Sequence, residues 1–165
     1  MRRAPRRTRT RGPVRLALTR RVRAWSPPRA ELARWAGMAL GARAGGELAV
    51  SVVGPAESRR LNARYRGRDH ATNVLSFPAP AQPRGAAVRS LGDLVVCPRV
   101  LRREARAQAK TLRAHWAHLI VHGTLHLIGY DHERARDARR MERREILVLK
   151  RLGFANPYRS VSPDG

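Results

Sequence analysis

Residues 118–132, HLIVHGTLHLIGYDH, place four histidines in an otherwise apolar segment, and any fold must accommodate them. On a helix, His118, His122 and His126 recur every four residues and form a single stripe. One metal ion cannot take all three. Residues eight apart rise about 12 Å along a helix, whereas zinc–nitrogen bonds are about 2.0–2.1 Å. An ion must use 118 with 122, or 122 with 126. Gly129 decides between them. It follows His126 by three residues, where glycine can adopt the left-handed backbone that ends a helix. The chain can then turn back and bring His132 to the same ion. The pattern H-x3-H-x5-H therefore predicts His122, His126 and His132 as ligands of one zinc ion per chain. Three imidazoles with an open fourth position are the donor set of a catalytic zinc site, not a closed structural one. His118, one turn earlier, is expected to support the ligands by hydrogen bonding or to pack. His115 is read as a solvent-side residue. Asp131 is read as orienting a histidine or capping the next helix.

The rest of the chain suits one small domain. Its 165 residues suffice for one core and are too few for two comfortable domains. Residues 14–18 alternate as a strand does, and 26–43 read as a helix with Ser26 as N-cap and Leu32, Trp35, Ala36, Ala39 and Leu40 on its buried stripe. Residues 47–53, 72–77 and 92–97 read as strands, and 55–67 as a helix closed by Gly67. The segment 78–90, with three prolines, reads as a loop and a candidate flap. A helical pattern runs from 99 to 128 with a break near Thr111, and a last helix covers 133–152. This order predicts an α+β fold, a small mixed sheet packed with helices. Residues 13–158 form the single catalytic domain, 1–12 a disordered basic arm and 159–165 a flexible tail.

Charge narrows the partners. Thirty-five basic residues, all but Lys110 and Lys150 arginine, face twelve acidic ones, for a formal charge of +23. Such a surface repels itself unless a polyanion neutralises it. Nucleic acid is the first candidate and an anionic membrane the second, with drift toward arginine codons accounting for part of the excess. No window approaches the roughly 18 apolar residues of a membrane span, and the basic start lacks the apolar region of a signal peptide. Cys97 is the sole cysteine, which excludes an intrachain disulfide and fits a reducing compartment; a cytoplasmic location is expected. Arginines in 102–110 and 134–144 divide between a phosphate track and solvated helix faces with i,i+4 pairs to Glu142 and Glu145.

The ligand spacing also matches the metzincin pattern H-E-x-x-H-x-x-G-x-x-H. Here Gly123 replaces the glutamate that serves those proteases as general base, so the frame matches a peptidase and the chemistry does not. The whole stretch HGTLHLIGYDH closely resembles the signature of the YbeY family. So do LNARYRGRDHATNVLSFP at 61–78, LGDLVVCP at 91–98 and LGFANPY at 152–158, a resemblance covering about residues 47–158. The resemblance implies an α+β fold with a metzincin-like zinc helix under a small sheet. It further implies a single-strand-specific, zinc-dependent endoribonuclease of 16S rRNA 3′-end maturation and ribosome quality control. The implied partners are ribosomal RNA, the ribosome and single-stranded RNA, with no membrane and no obligate protein partner. Arg66 matches the family's functional arginine, a cation able to clamp a phosphate through two donors. Asn73 and Ser76, on the following strand, are candidates for sugar or phosphate contact, or structural. Ala71 stands where the family usually has proline, which is expected to loosen the loop before that strand. Two other readings are a zinc peptidase and a non-catalytic basic RNA-binding protein with structural zinc.

Overall fold

The computed structural model describes residues 12–43, 45–83 and 85–159. The arm expected at 1–12, apart from Gly12, and the tail expected at 159–165, apart from Arg159, lie outside the described residues. The elements run β1 (Val14–Arg20), α1 (Arg29–Leu40), a 3-10 turn (Gly41–Arg43), β2 (Gly46–Val52), α2 (Pro55–Arg66), β3 (Val74–Pro78), β4 (Ser90–Val96), α3 (Pro98–Ala107), α4 (Leu112–Leu127) and α5 (Ala135–Arg151). The fold is α+β. Its sheet has the order β1-β2-β4-β3. β1 and β4 flank β2 in parallel, and β3 closes one edge antiparallel to β4.

The period-two pattern of the strands builds the core. Leu16 lies opposite Leu48, and Val50 and Val52 lie opposite Leu94 and Val96. All six are buried. The apolar stripe of α1 covers this layer with Trp35 fully buried, and α4 packs between α1 and the strands β3 and β4. A helix with so many apolar side chains is hidden on most of its circumference. Trp116, Ala117, Ile120, Val121 and Leu125 of α4 are all wholly buried.

Two local expectations change. Ser26 does not cap α1, whose N-cap is Pro28. A residue before proline avoids helical dihedrals, so Pro27 and Pro28 delay the helix past Ser26. The Ser26 hydroxyl instead accepts a hydrogen bond from Arg20 Nε at 2.9 Å. Ala71 does not leave its loop loose, because α2 holds that loop with its side chains. Ser58 Oγ donates to Thr72 O at 3.1 Å and accepts from Thr72 N at 2.9 Å, while Asn62 Nδ2 donates to His70 O at 2.8 Å. The break near Thr111 is where the sequence places it. Thr111 caps α4, its side chain accepting from Ala114 N at 3.1 Å.

Candidate metal centre

The stripe on α4 delivers two imidazoles, and the turn after it delivers the third. Gly129 has φ 99°, the conformation that only glycine adopts without strain. Around it Gly129 N donates to His126 O at 3.1 Å and Tyr130 N to Leu125 O at 3.0 Å, reversing the chain. His126 Nε2 then lies 3.1 Å from His122 Nε2 and 3.0 Å from His132 Nδ1.

The outer nitrogens determine what the inner ones offer. Tyr130 O can only accept, so His126 Nδ1, 2.9 Å away, carries the proton. His122 Nδ1 hydrogen-bonds the carboxylate of Glu145. Burial alone would raise the Glu145 carboxyl. Hydrogen bonds from His118, His122 and Tyr158 and the charge of His122 outweigh it and hold the pKa at about 2. An ionised carboxylate accepts, so His122 also carries its proton on Nδ1. His126 Nε2 therefore presents its lone pair toward His122 Nε2 at 3.1 Å and His132 Nδ1 at 3.0 Å, and a cation shared by the three nitrogens would satisfy it. Burial, then the charges of His122 and His132, with Arg66 contributing, push His126 down to about 4. It is neutral, as a ligand must be. Two nitrogens about 2.0–2.1 Å from a tetrahedral ion are about 3.3 Å apart, so the donor set fits an ion of zinc's size.

The sequence missed Glu145 as a site residue. It was expected on a solvated face of α5, as a pair for arginine, and it is wholly buried. The signal was available: Met141, Val148 and Leu149, four before and three and four after it, are the buried residues of α5. Position 145 is the centre of that stripe. Its carboxylate also accepts from Tyr158 Oη and lies 3.6 Å from His118 Nε2. His118 Nε2 is in turn 3.3 Å from Tyr158 Oη. His118 thus belongs to the hydrogen-bonded layer behind His122.

His115 is not on the solvent side. It is 2% exposed, and its Nε2 is 2.7 Å from Glu104 Oε2 on α3, because α3 packs along this face of α4. Asp131 neither orients an imidazole nor caps α5, whose N-cap is Arg134. Its Oδ1 accepts from His132 N at 2.6 Å and Glu133 N at 3.1 Å, which holds its carboxyl below the usual range and fixes the backbone beneath the third histidine. Arg66 ends α2, exposed to solvent. Its neighbour Tyr65 packs edge-on against Phe77 at 5.1 Å and ties that helix end to β3. Asn73 Nδ2 donates to both Glu104 oxygens at 3.2 Å. Ser76 Oγ donates to Gly123 O at 3.2 Å. A cavity of about 710 Å³ opens beside His122, lined by Asn73, Glu104, Lys110, His118 and Tyr158 among others.

Gly123 explains the missing glutamate. A Cβ at this position would lie 2.9 Å from Leu94 Cδ2 and 3.2 Å from Ser76 Oγ. A side chain there would run into the sheet, not toward the histidines.

Residues 29–153 match the family described as Endoribonuclease YbeY. The chain belongs to this family. The YbeY match begins at α1, earlier than the stretch from 47 that the motifs carry. The endoribonuclease YbeY of Alkalilimnicola ehrlichii is 55% identical over 143 residues, 83% of this chain and 85% of the relative. That of Bordetella parapertussis is 54% identical over 139 residues, 79% and 87% respectively. That of Stutzerimonas stutzeri is 48% identical over 140 residues, 84% and 88%. The solution structure of TM1509 from Thermotoga maritima shares the fold, with TM-score 0.51 and 22% identity over 92% of this chain and 99% of that one.

Proposed function

We propose that this chain is a single-strand-specific, zinc-dependent endoribonuclease that matures the 3′ end of 16S rRNA and serves ribosome quality control in the cytoplasm. The observation that carries the metal chemistry is the meeting of the His122, His126 and His132 ring nitrogens, with the Nδ1 proton of His126 turned away to the Tyr130 carbonyl. Family membership supports the RNA substrate. The charge of +23 suits it. Among the described residues no helix is long and apolar enough to cross a membrane.

His122, His126 and His132 hold one zinc ion, and Glu145 and the Tyr130 carbonyl keep the first two imidazoles in the tautomer that can bind it. When bound, zinc supplies a Lewis acid at the scissile phosphate and lowers the pKa of water there. Arg66 clamps a non-bridging phosphate oxygen and stabilises the negative charge that grows in the transition state. Asn73, which lines the cavity beside His122, contacts the sugar–phosphate backbone, while Ser76 ties β3 to α4 through Gly123 O. The cavity beside His122 has room for a nucleotide. Ribosomal RNA is the partner, and no obligate protein partner is needed.

The test is to strip the metal, restore zinc and measure cleavage of a single-stranded RNA, with a peptide library digested in parallel. RNA cleavage that returns with zinc is expected. Peptide cleavage without RNA cleavage would favour the peptidase, a reading that Gly123 disfavours because it leaves no room for a base. Zinc uptake with neither activity would mean a structural ion. Alanine in place of His122, His126 or His132 should remove most of the metal, whereas His118→Ala should retain it. Elemental analysis checks this.

A further inference from the structure

A second concave surface lies on the other side of α3. Trp25, in the connection between β1 and α1, is 47% exposed. It borders a groove of about 510 Å³ that Arg23, Arg99, Arg102, Arg103 and Arg106 also line. The last four recur on α3 at i, i+3, i+4 and i+7, which is one face of a helix. Val100, Leu101 and Ala105 of the same helix are buried, and Glu104 and Ala107 line the cavity beside His122. The helix α3 is therefore the partition between the histidine centre and this groove.

None of these five arginines takes part in an ion pair among the described residues, whereas Arg21, Arg59, Arg60 and Arg113 do. Among the described residues only Arg103 has a carboxylate near enough to feel its charge, that of Glu104 on the far side of the helix; five guanidinium groups lining one groove repel one another, and a phosphate chain removes that cost. The aromatic ring points to the kind of chain. Single-stranded nucleic acid is held by cations on its backbone and by aromatic rings on which unpaired bases stack. Guanidinium forks match phosphate oxygens, and an exposed indole offers the stacking face. A duplex keeps its bases stacked inside and cannot use the ring. An anionic membrane would need a broader apolar face than one indole.

We propose that the groove between Trp25 and α3 is a binding track for single-stranded RNA, separate from the cleavage centre. A base stacks on Trp25 while the α3 arginines hold the phosphates on either side. The track anchors substrate across α3 from the histidines. It rests on RNA being the substrate of this chain.

Tryptophan fluorescence tests this directly, because Trp35 and Trp116 are fully buried and Trp25 is the exposed one. The ligand is a single-stranded 2′-O-methyl oligonucleotide added to the full-length protein and verified to be intact after the titration. It should quench emission, and Trp25→Phe should abolish most of that quenching change. Trp25→Ala should weaken binding about ten-fold, in the range of one lost base stack. Replacing Arg99, Arg102 and Arg106 together by Gln should reduce the slope of log affinity against log salt by about 2, three phosphate contacts at roughly 0.7 each. A control replacing Arg136, Arg139 and Arg143 on α5 by Gln should change it much less.

Emission indifferent to RNA, or an α3 triple variant no weaker than the α5 control, would overturn the proposal. So would quenching and blue shift by phosphatidylserine vesicles without any response to RNA, which would make the groove a membrane contact. A parental protein that binds the oligonucleotide at Trp25 yet cuts no RNA when loaded with zinc would leave the track standing and overturn the nuclease reading instead.

Discussion

Glu145 shows how one buried charge organises a site from behind. Its carboxylate meets His122, His118 and Tyr158 and has no exposure to water. A charge so placed persists only when it is fully bonded. Its effect reaches the reaction through the tautomer of His122. Glu145→Gln keeps the volume but loses the ionised acceptor, and zinc affinity should fall about 10- to 100-fold; competition with a chromogenic chelator measures it. Unchanged affinity would reduce Glu145 to packing. Arg66 is proposed to act from the front. Arg66→Ala should keep its zinc, slow single-turnover cleavage by roughly 10²–10³, and lower RNA affinity far less, since many arginines still hold the backbone. Arg66→Lys should recover part of the rate, because an ammonium lacks the planar two-donor edge. An alanine variant with zinc and the parental rate would make Arg66 one more surface arginine.

At the scale of elements, α4 serves two masters, the sheet on one side and the histidine centre on the other. Gly123 lies against Val74 and Ser76 of β3 and Leu94 of β4. Gly123→Ala forces a methyl against Leu94 and should destabilise the fold by about 1–3 kcal/mol, read as a lower thermal midpoint; an unchanged or higher midpoint would show that Leu94 gives way freely. The junction of α3, α4 and β3 is electrostatic. Burial raises the Glu104 carboxyl, but hydrogen bonds from His115 and Asn73, aided by the charges of His115 and Arg103, more than reverse this and hold it below the usual glutamate value. A carboxyl depressed on folding stabilises above its unfolded value and loses that contribution as pH falls through the lower folded one. Glu104 should therefore contribute above about pH 4.5 and progressively less below it. Urea unfolding across this range should show a flatter acid limb for Glu104→Gln, and parallel curves would mean that the junction does not titrate.

The whole molecule carries far more positive charge than its fold requires. Affinity for unstructured RNA should fall steeply with salt, and deleting residues 1–12 should lessen the slope, since six arginines leave with them. A slope unchanged by the deletion would show that these residues do not touch RNA. Much of the remaining charge lies on the outer faces of α3 and α5, and it matters which of these arginines share a concave surface.

The spacing of histidines with Gly129 was enough to name three residues that the fold brings together, because helix periodicity and a left-handed turn are local geometry. Strand alternation and the apolar stripe of α1 were legible for the same reason. What the sequence could not supply was the partner across space. His115 seemed exposed because its helix alone gives no hint of Glu104 on α3. Asp131 is a different case, since its partners are the two amides that follow it, a local turn that an aspartate favours and that was legible there. The groove at Trp25 joins residue 25 to residues 99–106, a pairing visible only once the connection before α1 lies against α3. Glu145 falls between these cases. Its position on the buried stripe is periodic and readable, but that a charge could be kept there depends on His118, His122 and Tyr158 arriving from elsewhere, and only packing decides that.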